Sequence, residues 1–414
     1  MANSLFYNIR RLWQVRENNP QRALRGREMT ECPMLENAWL FVQNGRIEAW
    51  GSDLDKVPAA DQRIDCEQGD LMPGYIDSHT HIVFAEPRNL EFEDRIRGLS
   101  YEEIAARGGG ILNSAEKLSK KSEDELFNEA FKRAQSLIEL GTLAIEIKSG
   151  YGLDEANEMK MLRVIKRLKK NLPIPVKSTF LGAHAIPPAY KHRPKDYVLE
   201  VAIPTLEKAH AAGLVDYVDA FCEKGYFGLE ETELILKKAA ELGLKAKIHV
   251  NQFNAFGGVK LCVEHQVLSV DHLEEMAEAD YEALEGGKTL AVALPSCSFF
   301  LQIPYTPSRK LISRNIPMVL ASDYNPGSTP SGNLNFVFSL ACIQMKMTPE
   351  EALNALTINA AFALDMEGEL GSISLGKKAN FILTKPIPGL SYIPYAFGEN
   401  VLSKIFINGE EFKR

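Results

Sequence analysis

Two histidines lie two positions apart, at a spacing that suits a shared metal ion. His79 and His81 follow an apolar run in the segment 71–84, LMPGYIDSHTHIVF. On an extended strand, residues i and i+2 point to the same side, with Cα atoms about 6.5–7 Å apart. Two imidazoles at this spacing can converge on one ion, at about 2.0–2.1 Å from each nitrogen. Taken alone the pair is a weak signal, because one such histidine often packs while the other is solvated.

Two further residues strengthen the metal interpretation. His249 ends a later apolar run, and Asp323 ends the last one. Three imidazoles and one carboxylate form a donor set that suits zinc or ferrous iron better than calcium or magnesium. Such an ion lowers the pKa of a bound water from 15.7 toward about 7 and so makes hydroxide available at neutral pH. We therefore predict one zinc or iron ion per subunit, with Asp323 as a ligand that also hydrogen-bonds the water.

Other polar residues also follow apolar runs. His272, in SVDHL, is the best candidate for a separate proton carrier or electrophile. A second ion would need a bridging carboxylate or a modified lysine, and the only candidates are Lys148 and Glu223. Ion pairing or packing is the expected role of both. The remaining polar residues at the ends of these runs are Tyr151, His184 and Ser296.

The elements that must position these residues alternate in kind along the chain. Eight apolar runs are separated by helical stretches such as 122–141, which starts with a Ser122/Glu125 capping box and ends in glycine. This alternation over roughly 300 residues is typical of a (β/α)₈ barrel, in which catalytic groups collect at the carboxyl ends of the strands. A doubly wound open sheet is the alternative, but no G-x-G-x-x-G follows the first strand. The candidate strands are 75–84, 143–151, 176–184, 217–224, 244–252, 267–274, 288–296 and 316–327.

Both ends of the chain read as short β-strands. The segment 38–51 is a strand, an Asn-Gly turn and a second strand, which is the hairpin signal. The segments 379–385 and 403–412 repeat this style near the C-terminus. Chain termini often lie close together, so we predict one small β-sandwich domain from residues 1–68 with 369–414, beside a barrel domain of residues 69–368.

Composition limits the class of protein. The net charge of −8 argues against a nucleic-acid partner, which would require a basic face. No apolar core of a signal peptide and no run of about 18 apolar residues is present, so we expect a cytoplasmic protein without a membrane span. The six cysteines show no pairing motif, which favours reduced thiols. A homodimer is common among such barrels, but no segment identifies an interface.

The motifs in their order resemble a known superfamily. PGYIDSHTHIVF, HVNQ, SVDHLE and ASDYNPGS resemble the amidohydrolase superfamily. Three longer strings, at 84–111, 146–153 and 179–187, are similar to the imidazolonepropionase family of histidine degradation, and the resemblance spans about residues 35 to 410. It implies a (β/α)₈ barrel with a small β-sandwich domain, one zinc or iron ion, and a small anionic substrate. The implied reaction is hydrolysis of 4-imidazolone-5-propanoate to N-formimidoyl-L-glutamate.

The resemblance also implies roles for individual residues. It assigns metal ligation to His79, His81, His249 and Asp323, and substrate contacts to Arg88, Tyr101, Tyr151, His184, Gln252, Asn325, Gly327 and Ser328. A carboxylate tail suits the bidentate fork of an arginine such as Arg88. The turn 323–328 can present N–H groups and the Ser328 hydroxyl to an anion. We interpret the glycine-rich run 107–111 as a loop over the barrel mouth that closes over substrate.

The catalytic assignment leaves alternatives open. We expect Asp323 or His272 to carry the proton to the departing ring nitrogen, and His272 or His184 to help stabilise the oxyanion. Some family members carry glutamate at the position of Gln252, and a neutral glutamine cannot accept a proton. Three other interpretations compete with this one: another cyclic-amide hydrolase, a nucleobase deaminase, or a barrel that serves only as a scaffold. A nucleobase lacks the tail carboxylate and would leave Arg88 without a charged partner.

Overall fold

A parallel sheet arranged in chain order forms the centre of the molecule. The computed structural model describes residues 3–99, 103 and 109–413. Within these residues, eight parallel strands follow one another in space as they do in sequence. They are β6 (Tyr75–Asp77), β7 (Thr142–Lys148), β8 (Val176–Ala183), β9 (Tyr217–Cys222), β10 (Lys245–Val250), β11 (Ser269–His272), β12 (Leu290–Ala293) and β13 (Met318–Leu320). Each coincides with one of the candidate strands, although β7 starts one residue earlier, and the predicted barrel class is confirmed.

Helices connect the strands and cover the outside of the sheet. Two of the longer ones begin at capped residues: Ser122 forms the predicted capping box with Glu125, and Asp154 accepts a hydrogen bond from the Asn157 N–H. None of the described helices combines the length and hydropathy that a membrane span needs. The described helices are α1 (Asn89–Ile96), α2 (Ile111–Lys120), α3 (Glu123–Glu139), α4 (Glu155–Asn171), α5 (Pro194–Tyr197), α6 (Ile203–Ala211), α7 (Leu229–Glu241), α8 (Gly258–Glu264), α9 (Glu278–Leu284), α10 (Pro295–Leu301), α11 (Ser308–Ser313), α12 (Leu334–Ile343), α13 (Pro349–Leu356), α14 (Ile358–Phe362) and α15 (Tyr392–Tyr395).

Strand β6 is shorter than predicted. It ends at Asp77, so His79 and His81 lie beyond it and not on one continuous strand. The strand stops there because residues 79–81 hydrogen-bond alternately to β7 and to the segment that follows β13. Thr80 accepts a bond from the Lys148 N–H at 2.9 Å and forms an isolated bridge with Tyr324. The inference that both histidines face one point therefore depends on these contacts and not on strand periodicity.

The barrel closes between β6 and β13 through a small set of hydrogen bonds. The Ser322 N–H and hydroxyl donate to the two Asp77 carboxylate oxygens at 3.0 and 2.6 Å. One step further along, the Asp323 N–H donates to the His79 carbonyl at 3.0 Å, and the His81 N–H donates to the Tyr324 carbonyl at 2.8 Å. Asp77 and Ser322 are fully buried. These bonds bring the first and last strands of the barrel together where the ladder itself is absent.

A second sheet draws on both ends of the chain. Among the described residues it contains β1 (Ser4–Trp13), β2 (Met34–Gln43), β3 (Arg46–Gly51), β4 (Gln62–Asp65), β5 (Asp70–Pro73), β14 (Phe381–Thr384), β15 (Leu402–Ile407) and β16 (Glu410–Glu411). The predicted Asn-Gly hairpin joins β2 to β3, with Asn44 and Gly45 both at positive φ as a tight two-residue turn requires.

This second sheet has a core of its own. The rings of Phe6, Phe381 and Phe406 meet at centroid distances of 4.9–5.4 Å and are fully buried. The eight strands form one continuous hydrogen-bonded sheet, and β5 belongs to it although it lies past residue 68. The small β domain from both chain ends is therefore present, while its exact boundaries remain a prediction.

We predict that Asp77→Ala lowers the free energy of unfolding by about 1–3 kcal/mol, because two buried donors on Ser322 lose their acceptor. Ser322→Ala removes only the hydroxyl donor and should cost less, about 0.5–1.5 kcal/mol. Urea unfolding followed by circular dichroism measures both. An Asp77→Ala protein as stable as wild type would show that these bonds do not hold the barrel closed.

Candidate active site

One cavity of about 740 Å³ lies at the carboxyl ends of the barrel strands. It gathers most of the residues predicted from the sequence; those that line it are His81, Arg88, Tyr151, His184, His249, Gln252, His272, Asp323, Asn325, Gly327 and Ser328. His79 lies directly behind His81, with 3.3 Å between their Nε2 atoms. Tyr101 lies outside the described residues, as do Arg107 and Gly108 of the predicted closing loop.

The predicted metal ligands converge. Asp323 Oδ1 lies 3.4 Å from the Nε2 atoms of both His79 and His81. The His249 ring lies next to these, 4.4 Å from the His79 ring between centroids. Four ligands arranged tetrahedrally at about 2.0–2.1 Å from an ion are about 3.4 Å apart. The spacing of the two imidazoles and the carboxylate therefore fits a zinc-sized or iron-sized ion.

Buried carboxylates hold two of the imidazoles from behind. His79 Nδ1 lies 2.7 Å from an Asp271 oxygen, and His249 Nδ1 lies 2.8 Å from an Asp219 oxygen. Each carboxylate fixes the proton on Nδ1 and leaves Nε2 as the coordinating atom. His81 has no such support, since its Nδ1 is buried without a hydrogen-bond partner among the described residues. In His79 and His249 the Nε2 atoms are therefore the ones available to a metal ion.

Lys148 belongs to the support of this site. Its buried ammonium lies 2.8 Å from a Glu146 oxygen and 2.9 Å from an Asp219 oxygen. The expected ion-pair role of Lys148 is confirmed. Glu223 likewise accepts hydrogen bonds from the Phe253 and Asn254 N–H groups at 2.9 and 3.3 Å and so holds the loop after β10.

His272 lies beside the ligand set with its own carboxylate. Its Nδ1 is 3.3 Å from a Glu274 oxygen, and its ring is 5.2 Å from that of His249. Burial acts to lower the pKa of His272, but Glu274 and Cys297 outweigh burial and raise the pKa well above its usual range. His272 therefore favours the protonated state in which an imidazole donates a proton.

The pKa of His184 is shifted in the opposite direction from that of His272. Its ring stacks on His81 at 5.4 Å, and its Nδ1 donates to the Gly150 carbonyl at 3.1 Å. Burial and the neighbouring His81 lower the pKa of His184 to about 3. A neutral imidazole in this place orients a ligand by hydrogen bonding and does not serve as an acid. Tyr151 packs beside it, with 5.4 Å between the ring centroids.

The turn after Asp323 differs from the prediction. The Gly327 and Ser328 N–H groups donate to Asn325 Oδ1 at 2.8 and 2.7 Å, so they do not point at an anion. The Asn325 amide in turn donates to the Asp323 carbonyl and the Ser328 hydroxyl. The reason is that an asparagine side chain satisfies the N–H groups of its own turn. Asn325 thus shapes the segment that carries Asp323.

Arg88 reaches the cavity, but one edge of its guanidinium is occupied. Its Nε donates to Glu91 at 2.8 Å and its Nη2 contacts the same oxygen. Nη1 instead points toward Gly327, where any side chain would collide with it. The bidentate fork expected of Arg88 stays a prediction: Glu91, three residues on in the chain, occupies the Nε–Nη2 side, so a carboxylate tail would bind on the side of Nη1.

Several residues that support the site were not predicted from the sequence. Asp219 and Asp271 are charged residues inside otherwise apolar strands, and that interruption was a usable signal. Glu91 follows Arg88 at helical spacing, which is a weaker signal. Cys297, whose sulfur accepts a hydrogen bond from Gln252 Nε2 at 3.4 Å, gave no signal in the sequence.

Comparison with known proteins agrees with this site. The model of the amidohydrolase family matches residues 71–412. The imidazolonepropionase of Christiangramia forsetii is 55% identical over 98% of this chain and 99% of its own, and that of Flavobacterium johnsoniae is 52% identical over the same shares. An adenosine deaminase structure from Xanthomonas campestris, with bound zinc, has a TM-score of 0.67 at 14% identity and covers 99% of this chain and 92% of its own. At that identity the likeness shows the fold alone.

We predict that Asp219→Asn weakens metal binding about 10–100-fold, because His249 loses the carboxylate that fixes its ring and tautomer. Competition with a chelator measures the affinity. Asp124→Asn, at an exposed residue that pairs with Arg167, is the matched control and should bind metal as wild type does. Equal affinity in Asp219→Asn would contradict the supporting role of Asp219.

Proposed function

Because the chain belongs to the amidohydrolase family and, within it, to the imidazolonepropionases, we propose that it hydrolyses 4-imidazolone-5-propanoate to N-formimidoyl-L-glutamate. The observation that carries this proposal is that one cavity contains the His81, His249 and Asp323 side chains and also Arg88. The substrate has the matching parts, a cyclic amide to be opened and an anionic tail to be held. The two relatives of that name match 98% of this chain and 99% of their own, which supports the same activity.

The family implies a bound metal, and we propose one zinc or iron ion per subunit held by His79, His81, His249 and Asp323. When bound, such an ion polarises a carbonyl oxygen and makes water easier to deprotonate at neutral pH. The spacing of the donors and their nitrogen and oxygen chemistry suit either metal.

Arg88 binds the tail carboxylate in this proposal. Arg88 lines the cavity, and Glu91 holds its Nε–Nη2 side in place, which leaves Nη1 for the tail. Tyr151 and the neutral His184 hydrogen-bond the imidazolone ring and turn its carbonyl carbon toward the ligand set. The Gln252 amide contributes a further hydrogen bond and accepts no proton. Together these contacts select a ring with a carboxylate tail over a nucleobase.

Two residues carry out the proton transfers in this proposal, one from the attacking water and one to the leaving nitrogen. In this proposal Asp323 accepts the proton from the attacking water, because its buried carboxylate lies beside the His79 and His81 nitrogens that would hold the ion. His272 donates a proton to the departing ring nitrogen as the carbon–nitrogen bond breaks. The raised pKa of His272 and the lowered pKa of His184 favour His272 over His184 for this step. Glu274, paired with His272 Nδ1, stabilises the charged imidazolium.

The direct test uses freshly generated imidazolonepropionate, with the loss of its ultraviolet absorbance followed and the metal content measured on the same sample. We expect turnover with about one equivalent of zinc or iron. Asp323→Ala should lose the metal and more than about a thousandfold of the turnover, because a ligand and a proton acceptor disappear together. Asp196→Ala, at an exposed surface pair with Arg193, should match wild type. Full activity without metal in Asp323→Ala would rule the proposal out.

We predict that Arg88→Gln raises KM for imidazolonepropionate about 10–100-fold with a smaller effect on kcat, because it removes a charged hydrogen-bond donor to the tail. Arg97→Gln, which alters an exposed arginine one residue past the same helix α1, is the matched control. Steady-state kinetics measure both. Turnover of a nucleobase that survives Arg88→Ala, together with no change in KM for imidazolonepropionate, would favour a deaminase.

A further inference from the structure

The segment between β7 and α4, residues 149–153, carries two features of the proposed substrate pocket. Tyr151 lies on it, buried, with its ring 6.1 Å from that of His81. The carbonyl of Gly150 accepts the hydrogen bond from His184 Nδ1 at 3.1 Å. The segment has no regular structure, and Gly150 and Leu153 both have positive φ. Something outside the segment must therefore fix its conformation.

One buried carboxylate makes the contacts that fix it. Glu158 accepts hydrogen bonds from the Gly152 N–H at 2.6 Å, the Leu153 N–H at 3.3 Å and the Gly150 N–H at 3.1 Å to each oxygen. The Ser149 hydroxyl also hydrogen-bonds it and accepts from the Leu181 N–H at 3.0 Å. A cluster of backbone N–H groups around an anion is a strong, directional arrangement.

Glu158 is not needed to begin the helix on which it lies. Asp154 caps α4 by accepting from the Asn157 N–H at 2.8 Å. Glu158 is only 2% exposed, and among the described residues it has no ion-pair partner. Burial raises its pKa to about 7. The Ser149 hydroxyl and the N–H groups of residues 150, 152 and 153 act against burial and lower this pKa. A carboxyl group buried without a cation costs stability, so its presence points to a positional role.

The fit between Glu158 and the segment is close. A Cβ added at Gly152 would lie 2.7 Å from Glu158 Oε1 and would also collide with the Glu158 backbone nitrogen. A Cβ at Gly150 would lie 2.9 Å from His184 Nδ1. The backbone therefore approaches both the carboxylate and the imidazole as closely as glycine permits. A displacement of the carboxylate would be transmitted to Tyr151 and His184 together.

We propose that Glu158 is a positioning residue for substrate binding: its carboxylate holds residues 150–153 so that Tyr151 and His184 face the ring. Glu158 touches no substrate itself. This role rests on the proposed function, because Tyr151 and His184 matter only if a ring is bound between them. It adds a determinant of ring orientation that lies outside the cavity.

The main test is Glu158→Gln, with Glu155→Gln on the same helix as the matched control. An amide offers one acceptor oxygen, and its NH₂ group faces the Gly150 N–H, so the segment must shift. We expect kcat/KM for imidazolonepropionate to fall about 10–100-fold, the effect of a displacement near 1 Å. Metal content should not change. Glu155, exposed and paired with Lys208, should be replaceable without effect.

A double-mutant cycle separates this role from a general structural one. If Glu158 acts through Tyr151, Glu158→Gln should lower kcat/KM by a clearly smaller factor in a Tyr151→Phe background than in wild type. Equal factors in both backgrounds, or an unchanged kcat/KM in Glu158→Gln, would overturn the proposal. If Glu158→Gln does not fold, Glu158→Asp keeps the charge, shortens the reach by one methylene and enters the same cycle.

Amide hydrogen exchange tests the proposal without substrate. Exchange at Gly150, Gly152 and Leu153 should quicken at least tenfold in Glu158→Gln and stay unchanged in Glu155→Gln. Unaltered exchange at all three amides would overturn the positioning role. If wild type fails to turn over imidazolonepropionate, the proposed function falls, and exchange alone then decides whether Glu158 holds the segment.

Discussion

The hydrogen bonds that close the barrel between its first and last strands are the constraint on which the site depends. Asp77 and Ser322 join β6 to β13, and the His79 carbonyl accepts from the Asp323 N–H one step further on. Residues 245 positions apart thereby become neighbours. The two Nε2 atoms and the carboxylate oxygen then meet at 3.3–3.4 Å with no flexible loop between them. The contacts that close the barrel therefore also bring the proposed metal ligands together.

Buried charged side chains surround this junction and pair with one another or with the imidazoles. Asp219 joins the Lys148 ammonium to His249, and Asp271 fixes His79. Each charge that would be costly alone has a partner within hydrogen-bond distance. The His79 and His249 imidazoles are therefore oriented by the protein itself, which would limit the reorganisation that binding of the proposed ion requires.

The substrate side of the cavity is organised by carboxylates that do not face the ligand. Glu91 takes one edge of Arg88, and Glu158 gathers the N–H groups beside Tyr151. Asn325 does the same for the turn after Asp323. In each case a short polar side chain satisfies nearby donors and gives an irregular segment one conformation. Irregular segments need such contacts because no ladder or helix fixes their backbone.

The sequence by itself determined the eight strands, the Ser122 capping box, the Asn-Gly hairpin and the placement of His79, His249, His272 and Asp323 at or just past the carboxyl ends of strands. These features depend on hydrophobic periodicity and turn chemistry, which act over a few residues. Only the tertiary structure decided which nitrogen of each imidazole faces the proposed metal site and that β6 stops at Asp77. Those outcomes are set by contacts between segments far apart in the chain, which local sequence patterns do not record. The structure also decided which edge of Arg88 is open and that Glu158 binds the segment of Tyr151. Glu91 and Glu158 lie close in sequence to their partners, but the pattern does not show which way each side chain turns.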